Sequence, residues 1–289
     1  MRYEGIVYRP PSEASSLIIQ LTIGCARNTC TFCSMYKDKK FRVRDLEEVI
    51  EDLEEAAKLY GNRVRRVFLA DGDALIVKTE DLLFIFDKIK NLFPNLERIT
   101  MYGAPKDVLG KSDDELKTLH DAGLAMVYIG AESGDEQVLI DVKKGATAEE
   151  IKEAGLKLKR AGIKISMTLI SGLGGKDRLY EHAYNSAKVI SAIKPEFVGF
   201  LTLMVEEGTK MYDLVHSGKF RLLSPSDVVE EMKIFISNVD SEGTVFRANH
   251  ASNYISLAGN LNEDKQMLLN QIENVAKRNA FKPESYRGL

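Results

Sequence analysis

Cysteine occurs only in one loop near the start of the chain, where Cys25, Cys30 and Cys33 fall within nine residues. The loop directly follows the apolar run Leu17–Ile23, which is typical of a buried strand. Three thiolates on one short loop can each bind one iron of a four-iron cubane, and the fourth iron then lacks a protein ligand. An iron left open in this way can bind a second molecule. The loop therefore predicts a reaction site.

Other uses of clustered cysteines fit the chain less well. A structural zinc site is normally closed by four Cys or His ligands. The histidines are scattered along the sequence at His120, His182, His216 and His250, although folding can still bring one of them to the loop. A disulfide framework is disfavoured, because three is an odd number and the chain shows no secretion signal. Cysteines used only for core packing have no reason to cluster.

The length and charge of the chain limit the classes of protein to which it can belong. A chain of 289 residues with 44% hydrophobic content suits a single α/β barrel of about 250 residues. The 40 basic and 43 acidic residues give a net charge of −3 without a long block of one sign, so neither nucleic acid nor an anionic membrane is indicated as a partner. Apolar runs fall well below the ~18 residues that span a bilayer. We expect a cytoplasmic protein, because the start of the chain lacks an apolar signal region.

Short apolar or β-branched runs alternate with amphipathic helices along the chain. The runs predicted as strands are Leu17–Ile23, Arg66–Ala70, Arg98–Tyr102, Met126–Ala131, Lys164–Ile170 and Phe197–Met204, followed by a seventh at Thr244–His250. Asp45, Ser112 and Thr147 each precede a Glu by three residues, and this capping pattern predicts helix starts. A further helix is predicted from Pro225, and the last from about Glu263 to Lys277.

Six consecutive βα units imply a parallel sheet, because such crossovers are right-handed and return the chain to the same edge. The predicted fold class is α/β, a partial parallel (β/α)6 TIM-like barrel with a C-terminal extension. Residues 1–15 are predicted to form a lead-in segment and residues 16–215 the barrel. Residues 216–289 are predicted to pack on the barrel and its mouth.

Small, acidic or hydroxyl residues follow five consecutive predicted strands. These positions are the cysteine loop, Asp71–Asp73, Tyr102–Ala104, Glu132–Gly134 and Ser171–Gly175. Every βα loop of a parallel barrel leaves the same end of the sheet, so we expect these residues to line one mouth. Residues of these types suit a polar ligand in close contact with the backbone.

On these residues the chain resembles the radical S-adenosylmethionine (SAM) superfamily over nearly its whole length. The cysteine loop is similar to the family's C-x3-C-x2-C, with one extra residue between Cys25 and Cys30 that predicts a bulge near Arg27–Thr29. Phe32 matches the family's aromatic residue before the last cysteine, whose neighbouring backbone contacts the adenine. The resemblance implies a [4Fe-4S] cluster held by Cys25, Cys30 and Cys33, with SAM bound at the open iron.

Further motifs extend the resemblance. Gly72 and Asp73 match the glycine-rich stretch whose acid binds the SAM methionine ammonium. Glu132 and Ser133 lie in a run like the G-x-E-S-G-S of the branch related to oxygen-independent coproporphyrinogen oxidase and Elp3, where they approach the ribose and methionine of SAM. Thr168 and Ile170 match the strand-five pattern S-V-D-L-I-x-G-L-P. Thr168 replaces the usual ribose-binding Asp, so that contact is weaker or is made elsewhere.

The resemblance also implies a reaction. One electron from the reduced cluster cleaves SAM, and the 5′-deoxyadenosyl radical abstracts hydrogen from a small-molecule substrate that the sequence does not identify. Reduced flavodoxin or ferredoxin is the expected electron donor. Such a radical must be kept from water. The predicted substrate contacts lie in the segment after the seventh strand: Arg247, Asn249, His250 and Tyr254.

Two other functions remain open from the sequence. In the first, a barrel without catalytic activity binds haem, as some relatives of coproporphyrinogen oxidase do, and His250 is then the candidate iron ligand. In the second, the protein is an iron–sulfur electron carrier and the residues at the strand ends match SAM enzymes by coincidence. Formation of 5′-deoxyadenosine distinguishes the radical reaction from the electron carrier.

Overall fold

The computed structural model describes residues 1–288 and shows an α/β fold with a mostly parallel central sheet of eight strands. The strands are β1 (Leu17–Gln20), β2 (Thr22–Ile23), β3 (Arg42–Val43), β4 (Arg66–Ala70), β5 (Arg98–Tyr102), β6 (Leu124–Glu132), β7 (Lys164–Ser171), β8 (Phe197–Thr202), β9 (Val245–Ala248) and β10 (Leu257–Asn260). All except β2 and β3 belong to the central sheet, in the order β1-β4-β5-β6-β7-β8-β9-β10.

Helices connect most of these strands. They are α1 (Leu46–Tyr60), α2 (Thr79–Leu92), α3 (Pro105–Gly110), α4 (Asp113–Asp121), α5 (Glu136–Asp141), α6 (Ala148–Arg160), α7 (Leu179–Ile193), α8 (Lys210–His216), α9 (Pro225–Asn238) and α10 (Lys265–Arg278). Short 3-10 turns lie at Pro11–Glu13, Gly61–Arg63, Ala74–Ile76 and Glu284–Tyr286. None of the helices in residues 1–288 is long and apolar enough to cross a bilayer.

The predicted helix caps are present. The Asp45 side chain accepts a hydrogen bond from Glu47 N at 2.8 Å and begins α1. Ser112 begins α4 with the reciprocal bonds of a capping box. Thr147 and Glu150 exchange the same pair of bonds before α6. A hydroxyl or carboxylate at these positions satisfies backbone amides that have no partner within the first turn.

The chain forms two compact units. The first unit comprises residues 1–28, 35–129 and 156–165. Within it, β1, β4, β5 and the start of β6 are hydrogen-bonded in parallel. Phe68, Tyr102 and Tyr128 meet edge to face on adjacent strands. The fully buried Glu13 joins this core through an ion pair to Arg98 at 2.8 Å and a hydrogen bond from the Tyr128 hydroxyl.

Among the described residues, the second unit comprises 29–34, 130–155 and 166 onward. Within it, β7, β8 and β9 are parallel and β10 runs antiparallel at the edge. Phe200 of β8 and Phe246 of β9 pack against Phe235 of α9. Because side chains alternate along a strand, Gly199 and Arg247 lie on the opposite face of the sheet. That face is less buried than the helix side.

The predicted fold class is confirmed, with differences at strand ends. The run Leu17–Ile23 divides at Leu21 into β1 and β2, because Thr22 and Ile23 leave the central sheet and pair with β3. The strand predicted at Met126–Ala131 is longer, the one predicted at Phe197–Met204 ends at Thr202, and the one at Thr244–His250 is shorter. The sequence did not predict β10, whose Gly259 and Asn260 favour turns over strands.

Candidate active site

The start of the cysteine loop is anchored by a buried carboxylate in the first unit. Oδ2 of the fully buried Asp71 accepts hydrogen bonds from Gly24 N at 3.0 Å and from Gln20 Nε2 at 3.1 Å. The Lys39 ammonium, 6% exposed, lies 3.0 Å from the same oxygen. A buried charge is stable only when it is paired and hydrogen-bonded. The ion pair therefore joins the chain before the first cysteine, the end of β4 and the segment after the last cysteine.

Gly72 and Asp73 lie directly against the first cysteine. Gly72 N donates to Gly24 O at 3.1 Å, and a Cβ on Gly72 would lie 3.1 Å from the Cβ of Cys25. Oδ2 of Asp73 accepts a hydrogen bond from Ala26 N at 2.6 Å. The close approach favours glycine at position 72. The structure thus brings together Cys25 and two of the residues predicted to bind SAM.

The environment of Cys25 favours the protonated thiol when no metal is bound. Burial, followed by the negative charge of Asp73, raises the pKa of Cys25 to about 12. The amides of Arg27 and Asn28 oppose this shift because they donate hydrogen bonds to the sulfur. A metal that binds here must displace the proton, and the two amides then stabilise the thiolate.

Side-chain contacts within the first unit hold Arg27 and Asn28, which lie where the sequence predicts a bulge. Arg27 Nη2 pairs with Asp107 at 3.1 Å. Asn28 Nδ2 donates to Tyr36 O at 2.6 Å, and Lys37 Nζ donates to Asn28 O at 2.9 Å. Burial, and then repulsion by Asp73, raises the pKa of Asp107 to about 6. Arg27 and Asn28 are therefore each held by polar contacts.

The other two cysteines belong to the second unit. The peptide between them is pinned there by two backbone hydrogen bonds, Thr31 N to Val142 O at 2.9 Å and Met211 N to Thr31 O at 2.8 Å. Phe32 packs against an apolar cluster that includes Ile170. The structure thus brings Phe32 and Ile170 together, two residues that the sequence assigned to SAM binding.

Glu132 adopts an unusual backbone conformation at the end of β6. Its φ is +65°, in the left-handed region that favours glycine. Its carboxylate folds back over Gly130, where a Cβ would collide with it, and pairs with Lys144 at 3.0 Å. The Glu132 and Lys144 side chains are each 13% exposed. This conformation of Glu132 is consistent with a ligand contact, because strained backbone is common at functional sites.

Ser133 is fully buried, and its hydroxyl is used within the protein. It accepts a hydrogen bond from Asp135 N at 2.9 Å and lies 2.7 Å from His182 Nδ1. His182 Nε2 lies 3.1 Å from Ile170 O, which can only accept. If the ring carries one proton, that proton lies on Nε2 and Ser133 donates to Nδ1. Ser133 and His182 together hold the ends of β6 and β7 to α7.

Glu231 of α9 extends this buried network. Its Oε1 accepts hydrogen bonds from Ser171 Oγ at 2.6 Å and from Gly172 N at 2.8 Å, and lies 3.8 Å from His182 Nε2. Burial raises the pKa of Glu231. No sequence motif indicated His182 or Glu231, because each lies far along the chain from its partners. They support the strand ends on which predicted ligand residues lie.

We expect Glu231→Gln to change how stability depends on pH. A raised pKa in the folded state gives a stabilising contribution that is complete below the pKa of the unfolded chain and is lost as pH rises through the folded value. Glutamine keeps an acceptor for Gly172 N but does not ionise. The stability of the variant relative to wild type should therefore increase with pH, by at most about 1.4 kcal/mol per pH unit. Urea unfolding between pH 5 and 8 measures it.

The matched control is Glu230→Gln, which neutralises an exposed carboxylate one residue away. Its pH profile should run parallel to that of wild type. If Glu231→Gln also runs parallel to wild type, the burial of a titrating Glu231 is refuted.

The residues predicted to contact substrate are divided between two environments. Arg247 and Asn249 are exposed. His250 is half-buried, and its Nδ1 accepts a hydrogen bond from Ser252 N at 3.2 Å. In the neutral ring this bond favours the tautomer whose proton is on Nε2.

Tyr254 belongs to a closed cluster with the last described residues of the chain. Its hydroxyl donates to Glu284 at 2.7 Å, and the Arg287 guanidinium lies 4.0 Å from the centre of its ring. Burial and the bond to Glu284 raise the pKa of Tyr254 to about 12. The three side chains line a cavity of about 320 Å³ beside Ser171 and Thr202. Sequence reasoning missed Glu284 and Arg287, which belong to no motif.

Comparison with known proteins identifies the family. The Radical SAM superfamily profile matches residues 19–185, more than half of the chain. The chain belongs to the radical SAM superfamily. The resemblance inferred from the cysteine loop and the motifs at the strand ends is confirmed.

The relatives of this chain share low sequence identity with it. A provisionally named methylthiotransferase of Methanocaldococcus jannaschii is 26% identical over 246 residues, which cover 74% of this chain and 51% of that protein. The haem chaperone HemW of Bacillus subtilis is 21% identical over 221 residues, covering 74% of this chain and 57% of that protein. The chain therefore spans little more than half the length of these relatives.

A solved radical SAM structure has the same fold. Coproporphyrinogen III oxidase from Escherichia coli has a TM-score of 0.56 with 16% identity, over 77% of this chain and 52% of that one. At this identity the likeness shows the fold, and the reaction has to be inferred from the site.

The loop residues suit the cluster that membership of the radical SAM superfamily implies. The cysteines are partly exposed and form no disulfide. Amide donors to a cysteine sulfur, as at Cys25, are typical of iron–sulfur sites. Among residues 1–288, no three Cys, His, Asp or Glu side chains converge on the position of one metal ion. A cubane does not require the three thiolates to converge on one point, because each thiolate binds a separate iron.

Proposed function

We propose that this radical SAM protein reductively cleaves SAM at a [4Fe-4S] cluster and abstracts hydrogen from a small-molecule substrate. When bound, the cluster and SAM supply the electron and the 5′-deoxyadenosyl radical for this reaction. The observation that carries the proposal is the position of the Asp73 carboxylate, held against the first cysteine by its 2.6 Å bond to Ala26 N. A carboxylate there suits the ammonium of SAM, which needs an acceptor beside the open iron.

In this proposal, residues of the chain bind and orient the cluster and SAM. Cys25, Cys30 and Cys33 hold the cluster. Gly72 gives the methionine end of SAM access to the loop, because any side chain at this position would occupy the space beside Cys25. Phe32 presents the backbone that contacts the adenine.

The strand ends of the second unit provide the remaining contacts of the proposal. Glu132, at its strained position, and Ser133, through its backbone, approach the ribose and methionine. Thr168 and Ile170 lie on the same face of β7, and in this proposal both lie beside the ribose of SAM. Arg247, Asn249, His250 and Tyr254 contact the substrate.

The electron donor in this proposal is a reduced flavodoxin or ferredoxin. Basic side chains border a cavity of about 460 Å³ in the first unit, on the side of the loop that carries Arg27. They include Lys78, which is 77% exposed, and Lys106. The same cavity is also lined by Glu80, Asp107 and Glu115, so in this proposal the exposed lysines form individual ion pairs with an acidic protein.

Formation of 5′-deoxyadenosine tests the function. We expect anaerobically reconstituted protein, reduced with dithionite in the presence of SAM, to form 5′-deoxyadenosine, measured by liquid chromatography and mass spectrometry. Protein without reductant is the control and should form none. A protein that carries the cluster and binds SAM but forms no 5′-deoxyadenosine would refute the proposal.

Replacement of Asp73 tests the SAM site separately. In Asp73→Asn the amide oxygen can still accept from Ala26 N, so the loop keeps its geometry. The variant loses the charge that pairs with the SAM ammonium. Because hydrogen bonds to charged groups contribute about 1.5–3 kcal/mol, we expect SAM affinity to fall about tenfold or more. Equilibrium dialysis of SAM against cluster-loaded protein measures it.

Asp87→Asn removes an exposed carboxylate on α2 and serves as the matched control. It should bind SAM as wild type does. Equal dissociation constants for Asp73→Asn and wild type, at equal iron content, would remove Asp73 from the SAM site.

A further inference from the structure

Arg247 lies in a lateral row of residues on the open face of the second unit's sheet. Thr168 of β7 pairs with Gly199 of β8, Gly199 pairs with Arg247 of β9, and Arg247 pairs with Ala258 of β10. Paired residues of adjacent strands project to the same side of a sheet. This side is opposite Phe246 and Phe200, which pack against α9. The side chain of Arg247 therefore leaves the sheet on the side away from the helix layer.

The neighbours of Arg247 in this row leave space around it. Gly199 has no side chain, and the nearest atom to a Cβ built there would be Met167 O at 3.9 Å. Ala258, on the other side, is small and exposed. A group about the size of a carboxylate or phosphate can therefore lie beside Arg247, over Gly199.

The charge of Arg247 is not neutralised locally. Its Nη1 donates to two backbone oxygens, Phe246 O at 2.8 Å and Gly259 O at 3.3 Å. Within residues 1–288 no carboxylate pairs with it. Arginine in a strand with both flanking positions small, and without an acidic partner, offers the fork geometry that binds oxyanions.

The row continues toward the cysteine segment within the same unit. Ile170 follows Thr168 by two residues on the same face of β7 and packs with Phe32, which precedes Cys33. Arg247 lies two strand spacings from Thr168, about 10 Å. A small molecule that reacts near Thr168 can therefore reach Arg247 with its far end.

We propose that the substrate carries a carboxylate or phosphate group and that Arg247 binds this group over Gly199. The inference rests on the proposed function for its location in a radical SAM site, and it specifies the class of substrate. Arg247 selects acidic small molecules, and Gly199 provides the space that the acidic group occupies.

Binding of three probes of similar size tests this inference on cluster-loaded protein with SAM present. The probes are benzoate, phenyl phosphate and benzyl alcohol, measured by isothermal titration calorimetry. We expect benzoate or phenyl phosphate to bind and the neutral alcohol not to bind. The anion that binds tells carboxylate from phosphate. In Arg247→Gln the affinity for that anion should fall about tenfold or more.

Two further variants test whether anion binding depends on Arg247 itself and on the space over Gly199. Arg278→Gln removes an exposed arginine on α10 and should bind the anion as wild type does. Gly199→Val keeps Arg247 but fills the space beside it, and should also weaken anion binding. Equal affinity in wild type and Arg247→Gln, or equal loss in Arg247→Gln and Arg278→Gln, overturns the inference. Absence of binding by both anions to wild type overturns it as well.

The binding assay requires neither reduction nor turnover. Failure to form 5′-deoxyadenosine would refute the proposed reaction without affecting the anion result. If the anions did not bind as expected, the proposed cleavage of SAM would be unaffected, and only the proposed class of substrate would be refuted.

Discussion

Replacing Cys33 by alanine should abolish the iron–sulfur cluster. One iron of the cubane loses its protein ligand, and the peptide that holds Cys30 and Cys33 cannot compensate, because its backbone is pinned at Thr31 by bonds to Val142 and Met211. We expect loss of the charge-transfer absorbance of thiolate-bound iron and no formation of 5′-deoxyadenosine. Iron and sulfide content after anaerobic reconstitution, with the absorbance spectrum, measure the effect. Cys25→Ala and Cys30→Ala should behave in the same way.

Ser34→Ala is the matched control, because it removes one oxygen from the neighbouring position of the same loop. It should retain wild-type iron content and absorbance. A cysteine variant that keeps four irons per chain would show that its thiol is not a ligand. Stoichiometric zinc in wild-type protein purified without oxygen would refute the cluster altogether.

The Lys39→Met variant should be strongly destabilised. Lys39 pairs with Asp71 at 3.0 Å, and their side chains are 6% and 0% exposed. Removal of one partner leaves a buried charge without compensation, which typically costs about 3–5 kcal/mol. Because Asp71 also holds Gly24, the variant should lose iron more readily as well. The urea midpoint of unfolding and the iron retained after gel filtration measure the two effects.

Two controls separate the buried pair from charge in general. Lys78→Met removes a lysine that is 77% exposed and lies 3.8 Å from Glu80, and it should change stability by no more than about 1 kcal/mol. The double variant Lys39→Met with Asp71→Asn should recover part of the lost stability, because it removes the uncompensated charge. Equal stability of Lys39→Met and wild type would contradict the account.

The sequence predicted most of the secondary structure because the local signals were strong. Arg66–Ala70 and Arg98–Tyr102 are strands with the predicted bounds, since each is an apolar run between a polar start and a small-residue turn. Strand ends were less predictable where pairing partners decide them. Thr22 and Ile23 continue an apolar run, yet they pair with Arg42 and Val43 outside the central sheet.

The candidate site was predictable where chemistry follows spacing along the chain. The cysteine loop and Gly72–Asp73 were recognisable in the sequence, and the structure places both residues beside the start of that loop. The internal role of the Ser133 hydroxyl was not predictable, because its partner His182 lies 49 residues away. Arg287 likewise meets Tyr254 only in the folded protein.

By itself the sequence determined the α/β class and the family and predicted the cysteine ligand set, since each depends on residue type at short spacing or on periodicity. Tertiary structure alone decided which polar groups are buried together and which are left accessible. Asp71 is compensated by Lys39, whereas Arg247, between Gly199 and Ala258, keeps its charge available. That difference depends on burial and strand register. Both arise from contacts between residues distant in the chain, which no local pattern encodes.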